Sequence, residues 1–483
     1  MAESENQKSD NKLAKKATGS HSPWLWLLTL TLAVAFIGSG LFGHAPWKLH
    51  DMQTLETVQA MTESGDLVVP MRGGEPALTT PPLYYATAAA LSQRLADSLP
   101  PRDAARLATG LFLALTLIFA GLLGRLTWKP TETKGVGATG AMTVLLLIGT
   151  LGVVWFGHDV VTDSALMAGT TMGLYGLLLL PRRILLGAPW LLIWPWLLHE
   201  RDPQLFELWL WGNNIHQYLD HLAVSKPEHN LQWLWTFLIM AFPAWLLAGL
   251  ALILRPGALF GLPGVRLALL FSVVGWAILI SAEAARPIHA VLLLVPLAVI
   301  AVGGLTRMPG MLVLPLKWLS TLLFGLFAAA SWGIWIYLKY QGQLPDIQPL
   351  TASLPADHTF QFQARTYLVA AALTVLWLWI VLRYRAPGPS ALLAWPAGVV
   401  MSWSLLMLHQ PWVDQLIQER GLIAGLTTEP PIVMMQTPQA AAGESAASAT
   451  PAQSSGSPAA YPAPAMIDPQ QVSPGIPVST TGG

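Results

Sequence analysis

Apolar residues in this chain come in blocks of about 20, separated by short charged or Pro/Gly-rich breaks. A block of that length crosses a hydrocarbon core as a helix. Inside a bilayer every backbone N–H and C=O must be satisfied within a helix or a closed barrel. The pattern therefore predicts an all-α polytopic membrane protein. Blocks near 24–43, 107–125, 138–156, 164–181, 185–199, 231–254, 266–282, 288–306, 317–338, 367–383 and 390–408 give about 11 spans. The block near 185–199 is short and holds Pro189 and Pro195, so a re-entrant segment fits it as well as a full span. Charged residues make up only 11% of the chain, against roughly 25% in a soluble domain. Net charge is zero, so no global field draws nucleic acid. The absence of cysteine excludes disulfides, thiolate chemistry and Cys-ligated metals.

Basic residues orient the bundle. The breaks on the N-terminal side carry Arg125, Lys129, Arg182, Arg183, Arg255, Arg307 and Arg383 with almost no acid, which is the pattern of cytoplasmic loops. Residues 1–23, with Lys8, Lys12, Lys15 and Lys16, read as a cytoplasmic tail before an uncleaved first span. Residues 24–409 form the transmembrane domain, with long outer loops at 44–106, 200–230 and 339–366. Residues 410–483 lie on the outer side and become an Ala/Pro/Ser-rich tail from about 437, a composition that cannot bury enough apolar surface to order itself.

Transporters and proton pumps place ionisable groups at mid-membrane. Here almost all of them sit at span ends or in loops, and acids crowd the outer side: Asp51, Glu56, Glu63 and Asp66 in the first loop, Asp159 and Asp163 in a tight turn. A polar site above apolar helices suits a lipid-linked substrate whose head group lies in that plane. That favours an interfacial enzyme over a transporter or flippase of lipid-linked glycans, or over a catalytically inactive scaffold whose tail binds partners. An enzyme is expected to bring Asp51 and Asp163 together, a transporter to carry a polar path to mid-membrane.

In the first loop Met52, Leu55, Val58 and Met61 recur every three residues, which predicts a juxtamembrane amphipathic helix over 51–62. Asp51 falls at its start, where a carboxylate is favoured by the helix dipole and serves equally as a solvated cap or a catalytic acid. "TTPPLYY" predicts a second juxtamembrane helix over 83–96, with Pro82 at the first helical position and Thr79 or Thr80 as cap. Tyr84 and Tyr85 suit interfacial depth. His44, His50 and His158 with Asp51, Asp159 and Asp163 have the donor types that hold Zn²⁺ or Mn²⁺ if loops one and two meet. No metal-motif spacing such as His-Glu-x-x-His supports a divalent metal, so no cofactor is required by the sequence.

The order of these pieces resembles the ArnT-type branch of the glycosyltransferase 39 family. A first span is followed by an outer loop opening with an acid, a helix ending in Met, "GDLVVP", "PPLYY" and an arginine before span two. Downstream, "HDVVTDSALMAGTTMGLYGL", "LFELWLWGNNIHQYL", "LQWLWTFLIMAFPAW" and "SAEAARPIHAVLLLVPLAVIA" continue the likeness over roughly residues 24–310. The resemblance implies a GT-C-like bundle in the bacterial inner membrane, moving a sugar from a polyprenyl-phosphate donor to lipid A, a glycan or a protein on the periplasmic face. It implies Asp51 as the catalytic carboxylate and Asp163 as the second acid. Lys48, Arg72, Arg106 and Arg286 are implied to face substrate phosphate, and His50, Thr80, Tyr84, Tyr85, His158 and Asp159 to line the substrate site. The chain departs from the family pattern where His50-Asp51 replaces two acids and Thr79-Thr80 replaces a Glu-Lys before the prolines.

Overall fold

In a computed structural model the described residues are 23–43, 46, 48–77, 80, 82–128, 138–179, 196, 199–200, 202–207, 209–211, 227–254, 256–281, 287–305, 308–341, 363–384 and 389–419. The block near 185–199, most of the 200–230 and 339–366 loops, the N-terminal tail, the Ala/Pro/Ser-rich tail, His44 and Arg286 lie outside them.

The described chain is helical apart from one hairpin. Helix α1 (Pro23–Gly38) leads into the first loop, which holds α2 (Leu49–Ser64) and α3 (Leu83–Arg94). Then follow α4 (Pro101–Thr127), α5 (Thr139–Ile148), α6 (Leu151–Phe156), α7 (Asp163–Leu179), α8 (Pro227–Met240), α9 (Ala244–Leu254), α10 (Pro263–Ser281), α11 (Leu294–Leu305), α12 (Gly310–Gln341), α13 (Ala364–Arg383) and α14 (Ala394–Leu408). Among the described residues five helices are long and apolar enough to cross a membrane, or six with the bent pair α8–α9 counted as one. Helices α1 and α5, and the turn leading through α11, are apolar but shorter. The chain is a multi-pass membrane protein.

Two of the expected spans are broken, each for a local reason. The helix expected over 138–156 stops at Gly149 and Thr150. Thr150 adopts an extended backbone, and the freed Gly149 carbonyl accepts a 2.8 Å bond from Trp395 Nε1. The span expected over 231–254 turns by 91° between Met240 and Ala244. Pro243 sits in that break, where it lacks an N–H and keeps the preceding residue out of the helical region.

Helices α5 and α11 are buried along their whole length and form the centre of the bundle. Around them α10, α12 and α13 turn residues such as Leu270, Val273, Leu326, Leu368 and Val375 outward, as lipid-facing helices do. Small residues set the closest approaches. A Cβ on Gly304 of α11 would fall on the Leu247 carbonyl oxygen of α9, while one on Gly249 of α9 meets nothing within 4 Å.

A second, smaller cluster builds the loop domain. Val58 and Met61 of α2, Tyr84, Tyr85, Ala88 and Ala89 of α3, Ala105, Ala108 and Phe112 of α4, Val160, and Ala165 and Ala168 of α7 pack together. This cluster seats both juxtamembrane helices on the bundle. Between them Met71–Arg72 and Glu75–Pro76 pair antiparallel around Gly73 and Gly74, whose φ values of 58° and 88° fit a two-residue turn of the kind that favours glycine.

The approach of α11 to α9 gives the first prediction. Gly304→Ala should lower the melting temperature of the purified protein, by a destabilisation on the order of 1–3 kcal/mol. Gly249→Ala, with open space around it, should leave it unchanged or raise it by up to about 1 kcal/mol of stability. Equal melting temperatures for the two variants would contradict the packing.

Candidate active site

The first loop and the turn between α6 and α7 meet, and Asp51 is the reason. It stands in the first turn of α2 with the residue 3% exposed. Of the expected apolar stripe α2 buries Val58 and Met61, while Met52 and Leu55 stay half-buried. Asp51, Thr54, Thr57, Val58 and Met61 point inward, so three polar residues share the face that packs on the bundle. Asp51 is not a cap on its own helix. Its Oδ1 accepts a 2.9 Å bond from the Val160 backbone N–H, 109 residues away. The Val160 side chain is itself fully buried in the loop cluster, which fixes that N–H in direction.

The neighbouring residue Asp159 supplies a second carboxylate. Its Oδ2 lies 2.7 Å from Lys48 Nζ and 3.4 Å from His50 Nε2, and His50 Nε2 is 3.9 Å from Asp51 Oδ1. Lys48 immediately precedes α2 and also donates to the Trp155 carbonyl at 3.0 Å. Its ammonium is 5.0 Å from the centroids of both the Trp155 and Phe156 rings, within cation–π range. Thr109 Oγ1 donates to the Asp159 carbonyl at 3.1 Å and lies 2.7 Å from Tyr84 Oη. The threonine has one proton, so the tyrosine hydroxyl is the donor in the second bond. Burial pushes the Tyr84 phenol up from its ordinary range, which keeps it a donor.

Electrostatics separates the acids. Burial, and then the Asp159 charge, push the Asp51 carboxyl up from 3.8 to about 6, although His50, the Val160 N–H and Lys48 pull it down. A carboxyl in that range exchanges protons near neutrality, which is what a general base needs.

Not all of the expected site residues join this cluster. Asp163 opens α7, 3.9 Å from His289 Nε2. It lies outside the group of His50, Asp51 and Asp159, whose ligand atoms all fall within 4.8 Å of one another. It is Asp159, not Asp163, that meets Asp51. The three grouped residues have the donor types to hold a divalent cation. His158 faces the other way: Nε2 is 2.7 Å from the Phe36 carbonyl, and its ring stacks on Trp403 at 4.3 Å. Arg72 Nε donates to Thr57 Oγ1 at 3.1 Å. Arg106 is 1% exposed and 3.6 Å from Asp103, and its leading charge partner is Asp51, so it is a buried cation beside the site rather than a surface one. Thr80 does not cap α3. Its hydroxyl lies 3.3 Å from that of Tyr85, and Pro82 begins the helix without a side-chain cap. Thr109, Asp103 and the Val160 and Trp155 backbone groups were not singled out from sequence. Backbone donors leave no signal there, and a lone threonine in a span is most often bonded within its own helix.

The raised Asp51 carboxyl predicts a stability signature. The folded chain binds this proton more tightly than the unfolded chain. Its contribution to stability is therefore complete below about pH 4 and is lost as pH rises through about 6. The loss is at most about 3 kcal/mol, for a shift of about two units. Asp51→Asn keeps an acceptor for the Val160 N–H without that loss. Its melting temperature should exceed that of the parent at pH 7.5, and the difference should shrink below pH 5. A difference that does not change with pH would contradict the assignment.

No protein-family model matches the chain, and no curated protein matches it. Solved structures do. The chain superposes on the crystal structure of ArnT from Cupriavidus metallidurans bound to undecaprenyl phosphate with a TM-score of 0.57, covering 87% of this chain and 82% of that one at 16% identity. Against ArnT from the same organism in the apo state the TM-score is 0.55, over 80% and 77% of the two chains, again at 16% identity. At that identity the likeness is one of architecture: the chain has an ArnT-like membrane fold.

Proposed function

We propose that this protein is an integral-membrane glycosyltransferase that takes a sugar from a polyprenyl-phosphate donor and passes it to an envelope acceptor on the periplasmic face. The observation that carries the reading is the buried Asp51 carboxylate, held at the start of the first-loop helix beside Asp159 and Lys48 in an ArnT-like fold. The similar structure with undecaprenyl phosphate supports a lipid phosphate as the donor's leaving group. The basic breaks on the side opposite the 44–106 loop support the periplasmic assignment.

In this reading an acceptor hydroxyl gives its proton to Asp51 while its oxygen attacks the anomeric carbon of the sugar. The bond from that carbon to the phosphate oxygen breaks, and its electron pair leaves with the lipid phosphate. Asp51 is suited to the proton because its carboxyl is raised to about 6, close to the working pH. The departing phosphate needs fixed positive charge. Lys48, one quarter exposed, and Arg72, half-buried on the hairpin, are the cations of the first loop suited to meet it. Thr80 and Tyr85 add hydroxyls at the start of α3. Lipid A, another glycan and a protein hydroxyl all fit this chemistry as acceptor.

The reading is tested in a deletion strain complemented with parent or Asp51→Asn protein, by mass spectrometry of envelope lipids and glycoproteins. The parent should restore a pentose- or hexose-bearing species. Asp51→Asn should reduce transfer by roughly 10²–10⁴-fold while the protein still inserts and melts cooperatively. Thr80→Lys should hold or raise transfer, since it adds a cation where the donor phosphate is expected to enter. Transfer at the parent rate by Asp51→Asn would remove Asp51 from the mechanism.

A further inference from the structure

His50, Asp51 and Asp159 bring one imidazole nitrogen and two carboxylates to a common point, the kind of donor set that takes Zn²⁺ or Mn²⁺. A fourth group already stands there. Lys48 Nζ is 2.7 Å from Asp159 Oδ2, the same oxygen that His50 Nε2 approaches at 3.4 Å. We infer that the Lys48 ammonium is the cation of this site, tethered by the chain in the place a divalent ion would otherwise take among His50, Asp51 and Asp159.

Several features hold the ammonium there. It donates to the Asp159 carboxylate and to the Trp155 carbonyl. The Trp155 and Phe156 rings present their π faces to it, each centroid at 5.0 Å. The lysine precedes the first turn of α2, the helix whose first turn carries His50 and Asp51, so its reach is set by the same backbone that places two of the three ligands. A divalent ion bonded to Asp159 Oδ2 would lie about 2.0–2.2 Å from that oxygen and no more than about 5 Å from Nζ. Two like charges would then face each other in a site shielded from most water, where their repulsion is weakly screened. One ammonium also leaves the two acids unequal. Asp159 is ion-paired at 2.7 Å, while Asp51 faces His50 at 3.9 Å and the buried Arg106 guanidinium, whose leading charge partner it is. This division of roles does not depend on which sugar the protein transfers, or on whether it transfers one.

The test is calorimetric titration of MnCl₂ and ZnCl₂, in separate runs at pH 7.5, into the purified full-length chain in nanodiscs. The parent should bind neither ion at a site that Asp159→Asn removes. Lys48→Met keeps an apolar stem against Trp155 and Phe156 but lacks the ammonium. It should gain one equivalent of Mn²⁺ or Zn²⁺ at least tenfold tighter than any binding by the parent, and the added change Asp159→Asn should abolish that gain. If the parent itself binds one equivalent that Asp159→Asn removes, the site is a metal site and the inference fails. It also fails if Lys48→Met, shown by its melting curve to be folded, gains no binding. If Lys48→Met does not fold, Lys48→Gln takes its place in the same titrations, with the same outcomes for and against. None of these readouts involves sugar transfer, so failure here is distinct from failure of the glycosyltransferase reading.

Discussion

The bond from the Val160 N–H to the buried Asp51 carboxylate is the constraint on which the site depends. It joins the first loop to the turn ahead of α7 across 109 residues of chain. A buried carboxylate without such a partner would cost several kcal/mol, so the acid and the turn are stable only together. Val160 is gripped by the loop cluster on its side-chain face, and Asp51 by α2. Apolar packing therefore fixes both ends of a polar contact. The same contact places Asp159, one residue earlier, beside Lys48 and His50.

That arrangement costs stability at neutral pH. Asp51 is pushed up mainly by loss of water and then by the charge of Asp159. Both are effects that an optimised scaffold would avoid. Functional sites often carry such strain, and neutralising it usually trades activity for stability. The surrounding shell limits the cost: Lys48 neutralises Asp159, and the Tyr84–Thr109–Asp159 chain fixes the turn from its other side. His158, expected in the site, instead ties that turn to α1 through the Phe36 carbonyl and to α14 through Trp403. Its neighbour Asp159 points into the cluster while it points away.

Much of the bundle was legible in the sequence because apolar blocks near bilayer thickness carry a strong signal. The observed helices fall on ten of the blocks, and the breaks at Gly149 and Pro243 lie where a small residue and a proline interrupt them. Both juxtamembrane helices were legible from periodicity and from the Pro-Pro step. The buried face of α2 was legible only in part. Period-three apolar residues marked the stripe Met52, Leu55, Val58 and Met61. Burial takes Val58 and Met61 from it and adds Asp51, Thr54 and Thr57; for Asp51 the partner is a backbone donor, the Val160 N–H, that no side-chain pattern reveals. Asp159, expected to line the substrate site, is the acid grouped with Asp51 and His50, while Asp163, four residues on at the start of α7, lies beside His289.

The "PPLYY" stretch shows how a structural segment comes to brace the turn that carries Asp159. Pro82 starts α3 and, with the small residues Ala88 and Ala89, lets the helix lie flush on α4. That places Tyr84 in full burial, where its hydroxyl must find a partner, and Thr109 supplies one. Thr109 then spends its only proton on the Asp159 carbonyl. Tyr85 turns the other way along the same helix, toward Thr80. One tyrosine thus braces the turn that carries Asp159, while its neighbour bonds toward Thr80. The placement of α3 matters because displacing it would disturb this run of single-proton donors. The orientation of Asp159, and through it the charge felt by Asp51, would change with it.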